Sequence, residues 1–316
     1  MMYLLLAFLI FTQSSCSSDS DETVVEPDGQ VNPDPDPDPE PENPEVETLI
    51  QNFGATDALS IDGNGTIYAS NFGGFNGTEV LKVNPESAAV EVAIDNLRAP
   101  TGNIVDDAGN TYVVHNVRPT EPGSNKFIGD VLKVDSDGNR TVLATLPGFP
   151  SGITLDDLGN VYVSNFLFGG VHQISADGQI TLYVGDERLL GGVGIDFDDD
   201  GNLFVGNFET GDILKISADR SIEVLVKIPT VRQDVVIGYL TYYDGSIYAT
   251  ATGEHVIYKV SMSGEATVFA GSGTQKTEDG ALLEASFDTP NGITADPNKK
   301  VLYITQNEAL TVISLD

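Results

Sequence analysis

One stretch, Gly152-Ile-Thr-Leu-Asp-Asp-Leu-Gly-Asn-Val-Tyr-Val-Ser-Asn-Phe166, limits what this chain can become, because five variants of it recur along the sequence. Ile153 and Leu155 alternate on a first strand and Val161 and Val163 on a second, with Tyr162 on the other face. Between them Asp157-Leu-Gly-Asn160 has hairpin chemistry: Asp bonds its own backbone, and Gly159 accepts a positive φ at no steric cost.

The aromatics of the second strands, Tyr68, Tyr112, Tyr162, Phe204, Tyr248 and Tyr303, give spacings of 44, 50, 42, 44 and 55 residues. A third strand follows in every copy (Val80–Val83, Val131–Val134, Val171–Ile174, Ile213–Ile216, Ile257–Val260, Val312–Leu315) and a fourth in the first five. A period of that length with four strands per unit predicts an all-β, six-bladed β-propeller over 46–316. The sixth copy lacks its fourth strand, and one surplus strand, Val46–Ile50, precedes the first copy. Pairing 46–50 with 312–315 covers the open edge and closes the ring.

Ahead of the repeats, Tyr3 to Phe11 is an apolar run of signal-peptide length, and Cys16 is the only cysteine among the 316 residues. Residues 17–45 carry eleven carboxylates, no Lys or Arg, and an alternating Pro-Asp/Pro-Glu run, which predicts an extended spacer. The expected domains are a signal peptide (1–15), a lipidated Cys16 with its acidic linker (16–45), and the propeller. The lone cysteine after the apolar run, followed by Ser17-Ser-Asp-Ser-Asp-Glu22, resembles a Bacteroidota lipoprotein signal. That resemblance implies a lipid anchor in the cell envelope, at the outer membrane, with the surface or the periplasm as its side. A net charge of −33 argues against nucleic acid and against direct binding of an anionic membrane.

The segment Ala270-Gly-Ser-Gly through Asp279-Gly, Ala285-Ser-Phe and Pro290-Asn-Gly-Ile-Thr294 resembles NHL-repeat propellers, and the whole ring more distantly resembles the gluconolactonase and regucalcin family. The latter implies a metal-dependent lactone hydrolase holding one divalent cation, Ca²⁺ or Zn²⁺, at the channel mouth. Of the residues expected there, Asp57 and Asn291 are good ligands, while Val193 and Ile237 offer none.

Two sets of loops converge on the face where inner strands begin, and 115–130 and 271–291 are the longest of them. They carry Arg98, Arg118, Lys126, Arg188, Lys227, Arg232 and Lys276, and with them Phe72, Phe75, Phe149, Phe166, Phe168 and Phe208. Cations beside aromatics grip an anionic or sugar-like ligand; the same residues also serve as solubilising charges and interblade packing. A polar ring, Asn71, His115, Asn165, Asn207, Ala251 and Gln306, ends the second strands. Its amides are candidates for ligand hydroxyls or for loop caps, and His115 for a general base. The candidate ligand site is therefore Asn71, His115, Arg118, Asn165, Phe166, Arg188, Asn207 and Arg232, and the ligand a small molecule, a sugar-like compound or a protein. A monomer without a resident cofactor is the leading expectation, with the metal hydrolase as the alternative.

Overall fold

The computed structural model of the chain describes residues 45–230 and 235–315. Six four-stranded antiparallel sheets stand as blades, and the inner strands of successive blades touch in a closed ring. The inner strands are Leu59–Ile61, Asn103–Val105, Pro150–Leu155, Gly192–Phe197, Leu240–Tyr243 and Ile293–Asp296. Cys16, the signal segment and the linker up to residue 44 lie outside the described residues, as does Arg232, while the carbonyl of Glu45 accepts from Ser314 N.

The ring closes as the strand count requires. Val46–Gln51 pairs antiparallel with Ala309–Ser314, bringing Val46 opposite Ile313 and Gln51 opposite Ala309, with a bulge between Thr48 and Ile50. Both faces of a blade are buried, because each blade is covered on both sides. Val161 and Val163 pack with Tyr112 and Val114 of blade 2, and Tyr162 packs with Ile195 and Val205 of blade 4. The Asp hairpins are turns: Asp156 accepts from the amides of Leu158 and Asn160, and Gly159 sits at φ 77°. Asp106 and Asp198 repeat the pattern.

The Pro-x-Gly pattern has a packing cause. A Cβ on Gly152 would lie 1.9 Å from the Val193 carbonyl oxygen, and one on Gly292 2.1 Å from that of Asp57, so adjacent blades approach backbone to backbone. A hydroxyl on the second strand then ties the joint. Ser164 Oγ accepts from Gly152 N and donates to Val193 O at 2.6 Å. Thr305 Oγ1 accepts from Gly292 N and donates to Asp57 O at 2.9 Å.

Three details differ from the sequence reading. Residues 115–130 are not a loop over the mouth but a continuation of blade 2, whose strands Thr111–Pro119 and Phe127–Val134 pair as far as Pro119 with Phe127. The segment 271–291 does not hang over the mouth either. Gly280 pairs with Val46, and Asp279 Oδ1 accepts from Thr48 N and Thr48 Oγ1, so the NHL-like segment fastens the N-terminal strand. Its Ala285 and Phe287 are buried in the same core cluster as Val46. In blade 5 the register runs one residue later than expected. Thr250 Oγ1 receives Tyr239 N and donates to Asn291 O, so Tyr239 takes the glycine position and Gly238, not Ile237, faces the mouth.

Candidate functional site

The polar ring at the ends of the second strands divides in two. Asn165 Oδ1 accepts from the amides of Phe149 and Leu167 while its Nδ2 donates to Pro147 O. Asn207 likewise accepts from Glu209 and Thr210 and donates to Leu190 O. Gln306 accepts from Asp288 N and donates to Thr311 Oγ1. These three amides are used up in fixing loop backbone. Asn71 is different: its side chain makes no hydrogen bond to another described residue. His115 is partly exposed, yet both ring nitrogens are shielded from solvent and have no partner.

Four cations of the upper loops arrive already paired, while Arg98 and Lys126 make no ion pair with a described residue. Arg118 makes a bidentate pair with Asp130, which also accepts from Asn116 Nδ2 and Thr145 Oγ1. Burial of Asp130 works against ionisation, but those four hydrogen bonds prevail and hold its carboxyl below the usual range. Arg188 is bidentate to Asp186 and reaches Ile222 O on the outermost strand of blade 4. Lys227 pairs with Asp212, and Lys276 with Glu278.

The aromatics join up. Phe75 packs edge-on against Phe72 (4.6 Å between centroids) and Phe149 (5.9 Å), Phe149 against Phe166 (6.2 Å), and Phe166 against Phe208 (5.9 Å). An arc of five rings therefore runs from the blade 1 loop to the blade 4 loop across the upper face. Every contact is T-shaped, the favoured electrostatic arrangement. Phe75 is 59% exposed and sits at φ 75°, in the left-handed region, just after Gly73 and Gly74 at φ 54° and 59°. That conformation costs a non-glycine residue on the order of 1 kcal/mol and is held by the ring contacts.

At the channel mouth Asp57, only 8% exposed, accepts a hydrogen bond from Ala58 N and stands beside the Tyr239 phenol of blade 5. Burial raises the Asp57 pKa to about 6, although the Tyr239 phenol and the Ala58 amide partly oppose it. Burial and the neighbouring Asp57 push Tyr239 well up, so the phenol keeps its proton. Asn291 Nδ2 donates to Thr56 O. Sequence reasoning missed Tyr239; aligning the second strands on the hydroxyls Ser164, Thr250 and Thr305 places it.

No protein-family model matches the chain, and no curated protein matches it. Solved structures do. An auxiliary nutrient binding protein from Bacteroides thetaiotaomicron superposes with a TM-score of 0.70 at 15% identity, over 85% of this chain and 76% of that one. A gluconolactonase from Xanthomonas campestris gives 0.65 at 15% identity, over 86% and 89%. Virginiamycin B lyase from Staphylococcus aureus gives 0.60 at 13% identity, over 86% and 99%. The likeness is one of fold: the chain is a six-bladed propeller.

The mouth does not suit a divalent cation. Asp57 is the one carboxylate among the mouth residues, and Gly238 and Val193 bring no donor side chain. No group of three or more His, Cys, Asp or Glu among the described residues is placed to hold a metal. Hard cations need six to eight oxygens, several of them charged.

Asp57 makes stability depend on pH. Its folded pKa of about 6 lies above the unfolded 3.8, so the folded state binds the proton more tightly. Stability is then highest below the unfolded value and falls as pH rises through about 6, by ~3 kcal/mol in all. Asp57→Asn should remove that loss. Urea unfolding of both proteins at several pH values checks it, and parallel pH profiles would contradict it.

Proposed function

We propose that this protein is a non-catalytic binding module of the cell envelope whose ligand rests on the upper face. The observation that carries this reading is the arc of five phenylalanines spanning the loops of blades 1 to 4. Rings held in one continuous contact, four of them partly buried and Phe75 exposed in a strained backbone conformation, offer a pre-ordered apolar platform whose ordering entropy is settled before ligand arrives. The auxiliary nutrient binding propeller among its structural neighbours supports a binding role. The donor set at the mouth weighs against the hydrolase alternative, and the module works as a monomer without a resident metal. Phe149→Ala combined with Phe166→Ala should weaken at least tenfold any ligand recovered from an array of glycans, peptides and small solutes. Asp157→Ala on the far face should leave affinity unchanged. Full affinity in the double variant would move the site elsewhere.

The same reading makes Cys16 the lipid attachment point and residues 17–45 the spacer that lifts the propeller off the membrane. Among the described residues no helix is long and apolar enough to cross a bilayer. Cys16→Ala should shift the protein from the membrane fraction to the soluble fraction; retention in the membrane fraction would refute lipidation.

A further inference from the structure

Resting on that upper-face reading, we infer that the ligand is an uncharged, hydroxyl-bearing molecule, a neutral sugar or short neutral glycan, which takes its hydrogen bonds from His115 and Asn71 while its C–H faces lie on the phenylalanine arc. Four observations converge on this chemistry. First, of the polar ring only Asn71 and His115, at equivalent positions of adjacent blades, have side-chain hydrogen-bonding capacity left. Buried polar groups are nearly always satisfied, so two unpartnered ring nitrogens call for a partner from outside the chain. Turning the imidazole towards the surface breaks no hydrogen bond, because its nitrogens have none to lose.

Second, burial holds His115 below the ordinary histidine pKa; Asp130 opposes this and Arg118 and Arg140 add to it. Turned outward the ring loses that burial, but an ordinary imidazole is still mostly neutral at pH 7, and the neutral form presents one donor and one acceptor, which matches a hydroxyl and not a carboxylate or phosphate. Third, the two described arginines of the candidate site, Arg118 and Arg188, are each committed to a carboxylate in bidentate geometry, which leaves only Arg98 and Lys126 of the described upper-loop cations without an ion pair, and the chain as a whole carries −33. Fourth, the arc begins one residue after Asn71, at Phe72 and Phe75, so hydroxyl-binding and C–H-binding surfaces adjoin.

The test uses the full chain on an array holding neutral glycans, acidic glycans and peptides. Binding to neutral glycans should persist when salt is raised about tenfold, since no charge pair is formed. His115→Phe, which keeps a ring and removes both nitrogens, should lower affinity about tenfold, His115→Gln should restore most of it, and Asn71→Ala should lower it several-fold. Melting temperatures of the variants, unchanged from the parent, separate binding from folding. Binding confined to acidic glycans or peptides, or affinity indifferent to both His115→Phe and Asn71→Ala, overturns the inference. If the Phe149/Phe166 double variant still loses that ligand, the upper-face reading survives; if it does not, both fall.

Discussion

Replacing Val46 with Asp lowers the stability of the propeller by about 4 kcal/mol or more and broadens its unfolding transition. Val46 is 1% exposed, within the cluster that holds Ala285, Phe287, Ile304 and Ile313. It also exchanges two backbone hydrogen bonds with Gly280, at 3.0 and 3.1 Å. An aspartate there either carries its charge into this apolar cluster or takes up a proton at a cost. The strand would detach, baring the edge of Ala309–Ser314 and the apolar side chains beneath it. Asp279→Ala is the graded companion: it removes only the carboxylate that receives Thr48 N at 2.9 Å and Thr48 Oγ1 at 2.7 Å, and should cost about 1 kcal/mol. Chemical denaturation of the three proteins measures both. A Val46→Asp protein as stable as the parent would mean that the ring does not depend on its latch.

Gly152→Ala is expected to cost about 3 kcal/mol although it adds a single methyl group. The new Cβ would stand 1.9 Å from Val193 O, 2.9 Å from Ser164 Oγ and 3.0 Å from Ile195 Cγ2. Neither the carbonyl nor the strand carrying it is a flexible side-chain end, so relief requires the blades to part and the Ser164 bridge to break. Two controls isolate this cause. Gly159→Ala meets nothing within 4 Å but sits at φ 77°, so it should cost the ~1 kcal/mol of a left-handed residue. Gly63→Ala, also with nothing within 4 Å, should be close to neutral. Thermal unfolding of the series gives the order, and equal losses at Gly152 and Gly159 would show that backbone freedom, not interblade contact, keeps glycine at position 152.

The hairpins were legible because their information is local: an Asp that bonds its own turn, a glycine at positive φ and alternating apolar residues lie within a dozen positions of one another. The ring was legible by counting, since one strand missing at the end matched one spare at the start. What the loops do was not legible. Length put 115–130 and 271–291 at the mouth, but pairing between Arg118 and Ile128 builds the first into blade 2, and Val46, more than two hundred positions away, draws the second to the latch. Local chemistry named Asn71, Asn165 and Asn207 alike, and only the carbonyls and amides around them separate one open amide from two saturated ones.

The sequence alone therefore determined the architecture of this protein, because each blade is written as a repeat of short-range signals and closure is a matter of strand number. The tertiary structure decided which groups remain free to act. Whether an Arg is paired, a Phe meets another Phe from a neighbouring blade, or a Tyr stands where its relatives have Gly depends on residues tens to hundreds of positions apart, and such distances leave no periodic trace in the chain.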